Sequence, residues 1–232
     1  MDRTQTEKWV EEIAQILKIS NIDLALLPSF LSIPFASARL AKTGIAVGAQ
    51  NLSEHGDGAF TGETTASELI QHGCRYVIVG HHERRTLFGE SNSTVSAKLF
   101  QAISHGLTPI LCVGERNQAD NAEAKKEISL ELRSAFASSK DFLTAPVVVA
   151  YEPTWAIGAA ESATSKHINE MARFIRDELE RIGVKNYRLI YGGSAGTGLY
   201  SQIATTCDGI FLGRKAHDPA KVPAILDEIY QH

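Results

Sequence analysis

Short apolar runs alternate with longer segments of helical periodicity along this chain of 232 residues. Strand–helix alternation at roughly thirty residues per unit predicts a parallel sheet, because each crossover between parallel strands needs a long connection. The expected strands lie at 22–27, 44–49, 76–80, 108–113, 147–151, 188–191 and 209–212. The expected helices lie near 4–18, 30–42, 63–73, 92–105, 121–138, 165–183, 198–205 and 218–230.

Both a doubly wound open sheet and a (β/α)₈ barrel fit this alternation. The barrel is favoured because polar loop clusters follow nearly every strand, as at the carboxyl face of a barrel. No Gly-rich dinucleotide-binding turn follows the first strand. The pattern contains eight helices but seven strands, and a helix comes first. We therefore predict one α/β barrel domain over residues 1–232 that lacks its first β-strand.

Composition narrows the class of partner. The net charge of −4 argues against nucleic acid and against a membrane surface, both of which favour a basic stripe. The N-terminus is too polar for a signal peptide, and no apolar run has the length of a membrane span. Cys74, Cys112 and Cys207 are widely spaced, which suits a reducing compartment and offers no zinc framework. We expect a cytoplasmic protein with no nucleic-acid or membrane partner.

One carboxylate follows the most continuous apolar run of the chain. The β-branched run at 147–151 suits a strand buried on both faces, and Glu152 comes next. A carboxylate in such a place is costly, so Glu152 is a candidate proton-transfer group. Pro153 then ends the strand, and 155–158 is a short apolar loop of a kind that can close over a small ligand.

A histidine follows another buried strand in the same way. His81 comes directly after the run at 76–80 and should project into the mouth of the barrel. Backbone N–H groups at the start of the next turn favour its neutral imidazole, which can donate to a substrate oxygen. With Glu152 as base, His81 can move protons between oxygens, as an aldose–ketose isomerase working through an enediolate requires. Glu83 either hydrogen-bonds within this site or forms an ion pair with a nearby arginine.

Two later loops are suited to a phosphate group. Glycines beside Ser194 let the backbone approach a ligand closely, and the exposed N–H groups can hold phosphate oxygens. Gly213 and Arg214 follow the last strand and add a glycine and a cation. Barrels commonly bind phosphate with the loops after their last two strands. We predict that Ser194, Gly213 and Arg214 bind phosphate.

Six segments carry motifs that are specific in combination. On these motifs the chain resembles the triosephosphate isomerase family over essentially its whole length. The resemblance implies a TIM barrel and interconversion of glyceraldehyde 3-phosphate and dihydroxyacetone phosphate, in glycolysis and gluconeogenesis, with no cofactor and no metal. The motifs are Gly-Ala-Gln-Asn at 48–51, Gly-Ala-Phe-Thr-Gly-Glu at 58–63, Gly-His with Glu-Arg-Arg at 80–85, Cys-Val-Gly-Glu at 112–115, Tyr-Glu-Pro with Trp-Ala-Ile-Gly at 151–158 and Tyr-Gly-Gly-Ser at 191–194.

The resemblance also assigns roles to single residues. It implies that Glu152 is the base and His81 the electrophile. It implies that Gly158, Ser194 and Gly213 bind the substrate phosphate. A mobile lid over 155–164 would begin with Trp155, Ala156 and Ile157 and would exclude water from the enediolate.

A further implication concerns assembly. In the family, the loop that ends at 59–62 reaches into a neighbouring subunit. The resemblance therefore implies a homodimer in which Thr61 lies near the active site of the partner.

The chain departs from the family at its N-terminus and at positions near the expected substrate site. It begins Met-Asp-Arg-Thr, which resembles the family from an internal methionine onward, so we hypothesise that the reading frame starts upstream and includes a strand with a substrate-binding lysine. His82 replaces a small serine, and Arg214 stands where the family usually has a second glycine. These positions resemble a branch that isomerises erythrulose phosphates.

Three functions therefore remain open. The first is triosephosphate isomerisation, and the second is tetrulose-phosphate isomerisation. The third is a truncated, non-catalytic barrel that binds a phosphosugar. Retention of His81, Glu152 and the lid argues against the third, because a binding protein needs no buried base.

Overall fold

Seven parallel strands form one sheet in which each strand pairs with the next in chain order. The structure is a computed structural model and describes residues 1–17, 21–118, 120–137 and 140–232. The strands are β1 Ala25–Leu26, β2 Ala46–Ala49, β3 Cys74–Val79, β4 Thr108–Val113, β5 Val147–Tyr151, β6 Tyr187–Tyr191 and β7 Gly209–Ile210.

Helices connect these strands. In the described ranges the α-helices are α1 Arg3–Ile16, α2 Ile33–Leu40, α3 Ala66–Gln71, α4 His82–Leu87, α5 Asn92–Ser104, α6 Asn121–Ala135, α7 Ser165–Ile182, α8 Tyr200–Ile203 and α9 Val222–Tyr230. Short 3₁₀ turns lie at Phe30–Ser32, Lys140–Thr144, Thr154–Ala156, Arg214–His217 and Pro219–Lys221.

The predicted fold is confirmed for the part of the chain that the structure describes. All seven expected strands are present, and the pairing order is that of a (β/α) barrel opened between β1 and β7. The expected strands at 22–27 and 209–212 are two residues long in the structure, because each edge strand pairs on one side only. The predicted helix ends at 18 and 138 lie outside the described residues.

One helix was missed by sequence analysis. Residues that we expected to form a turn after His81 begin α4, and His81 is its N-cap. The Glu83 N–H donates a hydrogen bond to the His81 ring, which satisfies one of the free donors of the first turn. None of the residues of α4 is buried, so the helix has no apolar face to produce a period in the sequence.

Side chains alternate between the two faces of the sheet and build two apolar clusters. Residues such as Val77, Val79 and Leu111 face outward and pack against the helices in the larger cluster. The smaller cluster lies on the inner face and contains Ile78, Ile110, Cys112 and Ala150. A strand buried on both faces explains why the sequence of these strands is continuously apolar.

Helix α1 links the two sides of the opening. It packs against α2, which precedes β2, and its Trp9 indole Nε1 donates to the carbonyl oxygen of Ala216 at 2.7 Å. Ala216 follows β7, so this bond ties the two edge regions of the sheet together. Asp2 and Gln5 close the start of α1 as a reciprocal capping box. None of the helices in the described ranges combines the length and the apolar composition of a membrane span.

The Trp9 bond gives a test of this link. Trp9→Phe keeps an aromatic ring but removes the donor, so we expect the free energy of unfolding to fall by about 0.5–1.5 kcal/mol. Urea unfolding followed by circular dichroism measures the change. Trp9→Ala should cost more, because it also removes packing. An unchanged midpoint for Trp9→Phe would show that the bond contributes nothing.

Candidate active site

Parallel register brings the ends of β3, β4 and β5 to one edge of the sheet. Val79 pairs with Leu111, and Leu111 pairs with Val149. His81 lies two residues beyond the end of β3, and Glu152 lies one residue beyond the end of β5. The Glu152 N–H donates to the carbonyl oxygen of Val113 at 2.8 Å, which extends the ladder to the carboxylate itself.

The two candidate groups face each other across this edge. His81 Nε2 lies 3.8 Å from Glu152 Oε2, and the Glu152 side chain is only 4% exposed. Glycine makes this close packing feasible. A Cβ at Gly114 would lie 2.1 Å from the Glu152 carbonyl oxygen, and one at Gly192 would lie 2.7 Å from the Glu152 side chain. A larger residue at either position would displace Glu152.

Burial controls the protonation of Glu152. Desolvation of the carboxylate raises the pKa of Glu152 to about 8. A hydrogen bond from the Cys112 thiol lowers this pKa, and the negative charge of Glu83 raises it. A carboxyl group with such a pKa can take up and release a proton near neutral pH, as a general base must.

Burial acts in the opposite direction on His81. Desolvation lowers the pKa of His81 to about 4, with a further lowering by His82 and an opposing effect of Glu83. The ring is therefore neutral at pH 7. Because Nδ1 accepts from the Glu83 N–H at 3.3 Å, the ring proton is on Nε2, which faces Glu152. The site thus contains a neutral N–H donor beside a carboxyl group.

The Glu83 carboxylate lies beside the His81 ring, beyond hydrogen-bond distance. It is 3.8 Å from His81 Nδ1 and is largely exposed. The neighbouring arginines have other partners: Arg84 pairs with Glu90, and Arg85 with Glu131.

The segment predicted to form a lid begins with an anchor at the end of the sheet. Trp155 lies in the 3₁₀ turn after Pro153, and Ala156 is buried within the larger cluster. The Trp155 indole Nε1 donates to Glu115 Oε1 at 2.9 Å. Ile157 ends the turn, and Gly158 adopts a positive φ of 74°, which favours glycine.

Sequence analysis missed the other groups around this anchor. The Glu115 carboxylate is buried, and it accepts a hydrogen bond from the Tyr151 hydroxyl and lies 3.0 Å from His167 Nε2. Glu115 belongs to the motif at 112–115, which carried the family resemblance but gave no role for it. His167 is on α7, 52 positions away, and no sequence pattern connects the two.

The candidate phosphate loops converge on the tip of the lid. Ser194 adopts a positive φ of 51°, and its Oγ donates to the carbonyl oxygen of Ala159 at 3.0 Å. Lys215 Nζ donates to the carbonyl oxygen of Ser194 at 2.8 Å. The Arg214 guanidinium lies so close to Gly158 that a Cβ there would be 2.7 Å from Nη2.

A groove of about 380 Å³ adjoins these loops and is lined by Ser194, Lys215 and residues of the lid. Gly213 directly precedes Arg214, so all four residues predicted to bind phosphate belong to segments at this end of the barrel. Thr61 is exposed in the loop between β2 and α3, where the neighbouring Phe60 ring stacks on His55. Across the described ranges, no group of three or more His, Cys, Asp or Glu side chains is placed to hold a metal ion.

Comparison with known proteins gives consistent matches. A family model described as triosephosphate isomerase matches residues 1–229. L-erythrulose-1-phosphate isomerase from Pectobacterium atrosepticum is 41% identical over 234 residues, which cover 97% of this chain and 90% of that protein. Triosephosphate isomerase from Thermus thermophilus is 39% identical over 84% of this chain and 80% of that protein. Triosephosphate isomerase from Thiobacillus denitrificans is 41% identical over 76% of this chain and 73% of that protein.

The raised pKa of Glu152 predicts a pH-dependent cost in stability. Its pKa is higher in the folded state than its usual 4.5, so ionisation destabilises the fold as pH rises toward about 8. Glu152→Gln removes this charge. We expect the variant to exceed the wild type in free energy of unfolding by about 1–3 kcal/mol at pH 9, with a smaller difference at pH 5.

Urea unfolding at both pH values measures this difference. Glu63→Gln, which replaces an exposed carboxylate, is the matched control and should show no such change with pH. A Glu152→Gln variant that is equally stabilised at pH 5 and pH 9 would contradict the expectation.

Proposed function

Because this chain belongs to the triosephosphate isomerase family, we propose that it is an aldose–ketose isomerase of a small phosphosugar. The observation that carries the proposal is the pair at the sheet edge: a buried carboxyl group with a pKa of about 8 lies 3.8 Å from a neutral imidazole nitrogen. This pair contains both groups that the reaction needs.

The reaction follows from the protonation states of the pair. Glu152 as carboxylate takes the proton from the carbon next to the carbonyl group, and the electrons move onto the carbonyl oxygen to form an enediolate. The Nε2–H of His81 donates to that oxygen and carries protons between the two oxygens. Glu152 then returns its proton to the neighbouring carbon, which completes the exchange of aldose and ketose without a cofactor.

The loops around the lid bind the phosphate group of the substrate. Ser194, Gly213 and Arg214 hold the phosphate together with Gly158, and the guanidinium of Arg214 adds positive charge. Trp155, Ala156 and Ile157 start the lid. Its closure excludes water, which strengthens these polar interactions and protects the enediolate.

Triose phosphates are the first candidate substrates. This assignment follows the family and its relatives from Thermus thermophilus and Thiobacillus denitrificans. The reaction would be the interconversion of glyceraldehyde 3-phosphate and dihydroxyacetone phosphate, a step of glycolysis and gluconeogenesis in the cytoplasm.

Erythrulose phosphates are the second candidate. They are favoured by the Pectobacterium relative and by Arg214, whose guanidinium occupies space beside Gly158. A longer substrate would place its phosphate differently against this bulk.

The experiment is an isomerase assay of residues 1–232 with glyceraldehyde 3-phosphate and with erythrulose phosphates, side by side. We expect turnover that falls about 10²–10⁴-fold in Glu152→Gln and in His81→Gln. His72→Gln, which changes an exposed histidine, is the control. The larger kcat/KM identifies the substrate, and Arg214→Gly should shift the ratio toward the triose if Arg214 selects the tetrulose.

Two outcomes would contradict the proposal. Turnover that is unaffected by Glu152→Gln would remove Glu152 from the reaction. Binding of both phosphosugars without turnover would support the non-catalytic barrel instead.

We also propose that the protein is a homodimer in which Thr61 lies near the active site of the partner. Phe60, Leu87 and Phe88 are exposed large apolar side chains on the connections after β2 and β3. Exposed apolar groups of this kind often mark a protein interface.

Light scattering at micromolar concentration tests the dimer. We expect twice the chain mass of 25.2 kDa, and we expect Phe60→Asp to give the single-chain mass because it places a charge in the contact. Leu130→Asp, at an exposed apolar position on α6, should leave the dimer intact. A monomeric wild type would contradict this proposal.

A further inference from the structure

Three buried polar atoms without a hydrogen-bond partner in the described part of the chain belong to residues that line one cavity. They are His82 Nε2, Arg85 Nη2 and Glu152 Oε2. All three residues line a cavity of about 20 Å³ beside the ends of β3, β4 and β5. A buried polar atom without a partner is destabilising, so three of them on residues that line one cavity need a common explanation.

Contacts of two nitrogens fix the guanidinium of Arg85, which lines this cavity. Its Nε donates to the Gly80 carbonyl oxygen at 2.8 Å, and its Nη1 donates to Asn92 Oδ1 at 2.7 Å. Glu131 balances its charge at 3.7 Å. These contacts leave Nη2, which can only donate, without a partner among the described residues.

His82 supplies a second donor. Burial lowers the pKa of His82, and the charge of Glu83 only partly opposes this, so the ring is neutral at pH 7. Its Nε2 can donate in one tautomer. The ring contacts His81, with centroids 4.7 Å apart, and His82 lines the cavity but takes no part in the contact between His81 Nε2 and Glu152 Oε2.

The cavity has room for one water molecule, which requires about 10–15 Å³ and two to four polar partners. A water there can accept from Arg85 Nη2 and His82 Nε2 and donate to Glu152 Oε2. This arrangement satisfies all three atoms at once.

We propose that this cavity binds one water molecule through which His82 and Arg85 stabilise the carboxylate form of Glu152. His82 and Arg85 are then positioning residues that act on the base without touching substrate. The water site itself does not depend on the proposed function. Its effect on catalysis rests on the proposed role of Glu152 as the base.

Other groups around Glu152 set the background for this effect. His81 is neutral, the Cys112 thiol hydrogen-bonds the carboxylate, and the Glu83 charge opposes ionisation. Glu131 and Arg116 also line the cavity, and burial raises the pKa of Glu131, which is paired with Arg85. The water donates one hydrogen bond to the carboxylate and is polarised by the two donors that it accepts from, which favours the carboxylate and so lowers the pKa of Glu152.

The test is a ¹³C NMR titration of the Glu152 carboxyl group in protein labelled with ¹³C-glutamate, with the resonance identified by its absence in Glu152→Gln. His82→Phe removes the donor, and we expect the pKa of Glu152 to rise by about one unit, a tenfold change in proton affinity. His82→Gln keeps an N–H donor on a chain of similar length and should restore the wild-type pKa. His72→Phe, at an exposed histidine, is the control and should not change it.

Several results would overturn the proposal. The first is an unchanged Glu152 pKa in His82→Phe, and the second is an equal shift in His82→Phe and His82→Gln, which would indicate packing alone. A crystal structure of the wild type needs no variant: a water within hydrogen-bond distance of all three atoms supports the site, and a refined cavity without one overturns it.

The pH profile of kcat/KM separates this proposal from the proposed function. If the protein is an isomerase, the acid limb of His82→Phe should move to higher pH together with the NMR pKa. A loss of kcat/KM that is equal at every pH, with no movement of the limb, would mean that His82 is only structural. If the protein shows no turnover but the Glu152 pKa shifts as expected in the NMR titration, the proposed function is rejected and the water site is supported.

Discussion

Parallel pairing of neighbouring strands in continuous register is the constraint on which the site depends. It forces the carboxyl ends of β3, β4 and β5 to one edge, so residues that are 71 positions apart in the chain, His81 and Glu152, face each other. The same pairing buries both faces of the central strands, which removes water from the edge. Placement and desolvation therefore have one origin, and neither would survive a change of register.

Desolvation then separates the protonation behaviour of two neighbouring groups. It raises the pKa of Glu152 to about 8 and lowers that of His81 to about 4, because in each case burial penalises the charged form. Both groups therefore favour their neutral forms in the free protein. The Cys112 thiol opposes this penalty by lowering the pKa of Glu152. The proposed water beside His82 would act in the same direction, so that more of Glu152 is ionised near neutral pH.

A second buried carboxylate connects the site to the segment predicted to form a lid. Glu115 accepts from Trp155 and Tyr151 and lies within reach of His167, so it fixes the first turn of the lid against β5 and α7. Further along the segment, Ser194 Oγ donates to the carbonyl oxygen of Ala159, and the Ala163 N–H donates to the Tyr191 hydroxyl. These contacts hold the segment to the barrel at its start, near its tip and near its end.

The sequence by itself determined the seven strands, the barrel order and the placement of His81 and Glu152 at strand ends. Apolar periodicity and the residue after a buried run are local properties that a chain displays directly. Only the tertiary structure decided the length of the edge strands, the helix α4, the partners of Glu115 and the meeting of His82, Arg85 and Glu152 at one cavity. These depend on distances between segments far apart in the chain, and the free energy of a buried polar atom is set by what surrounds it, which no local pattern records.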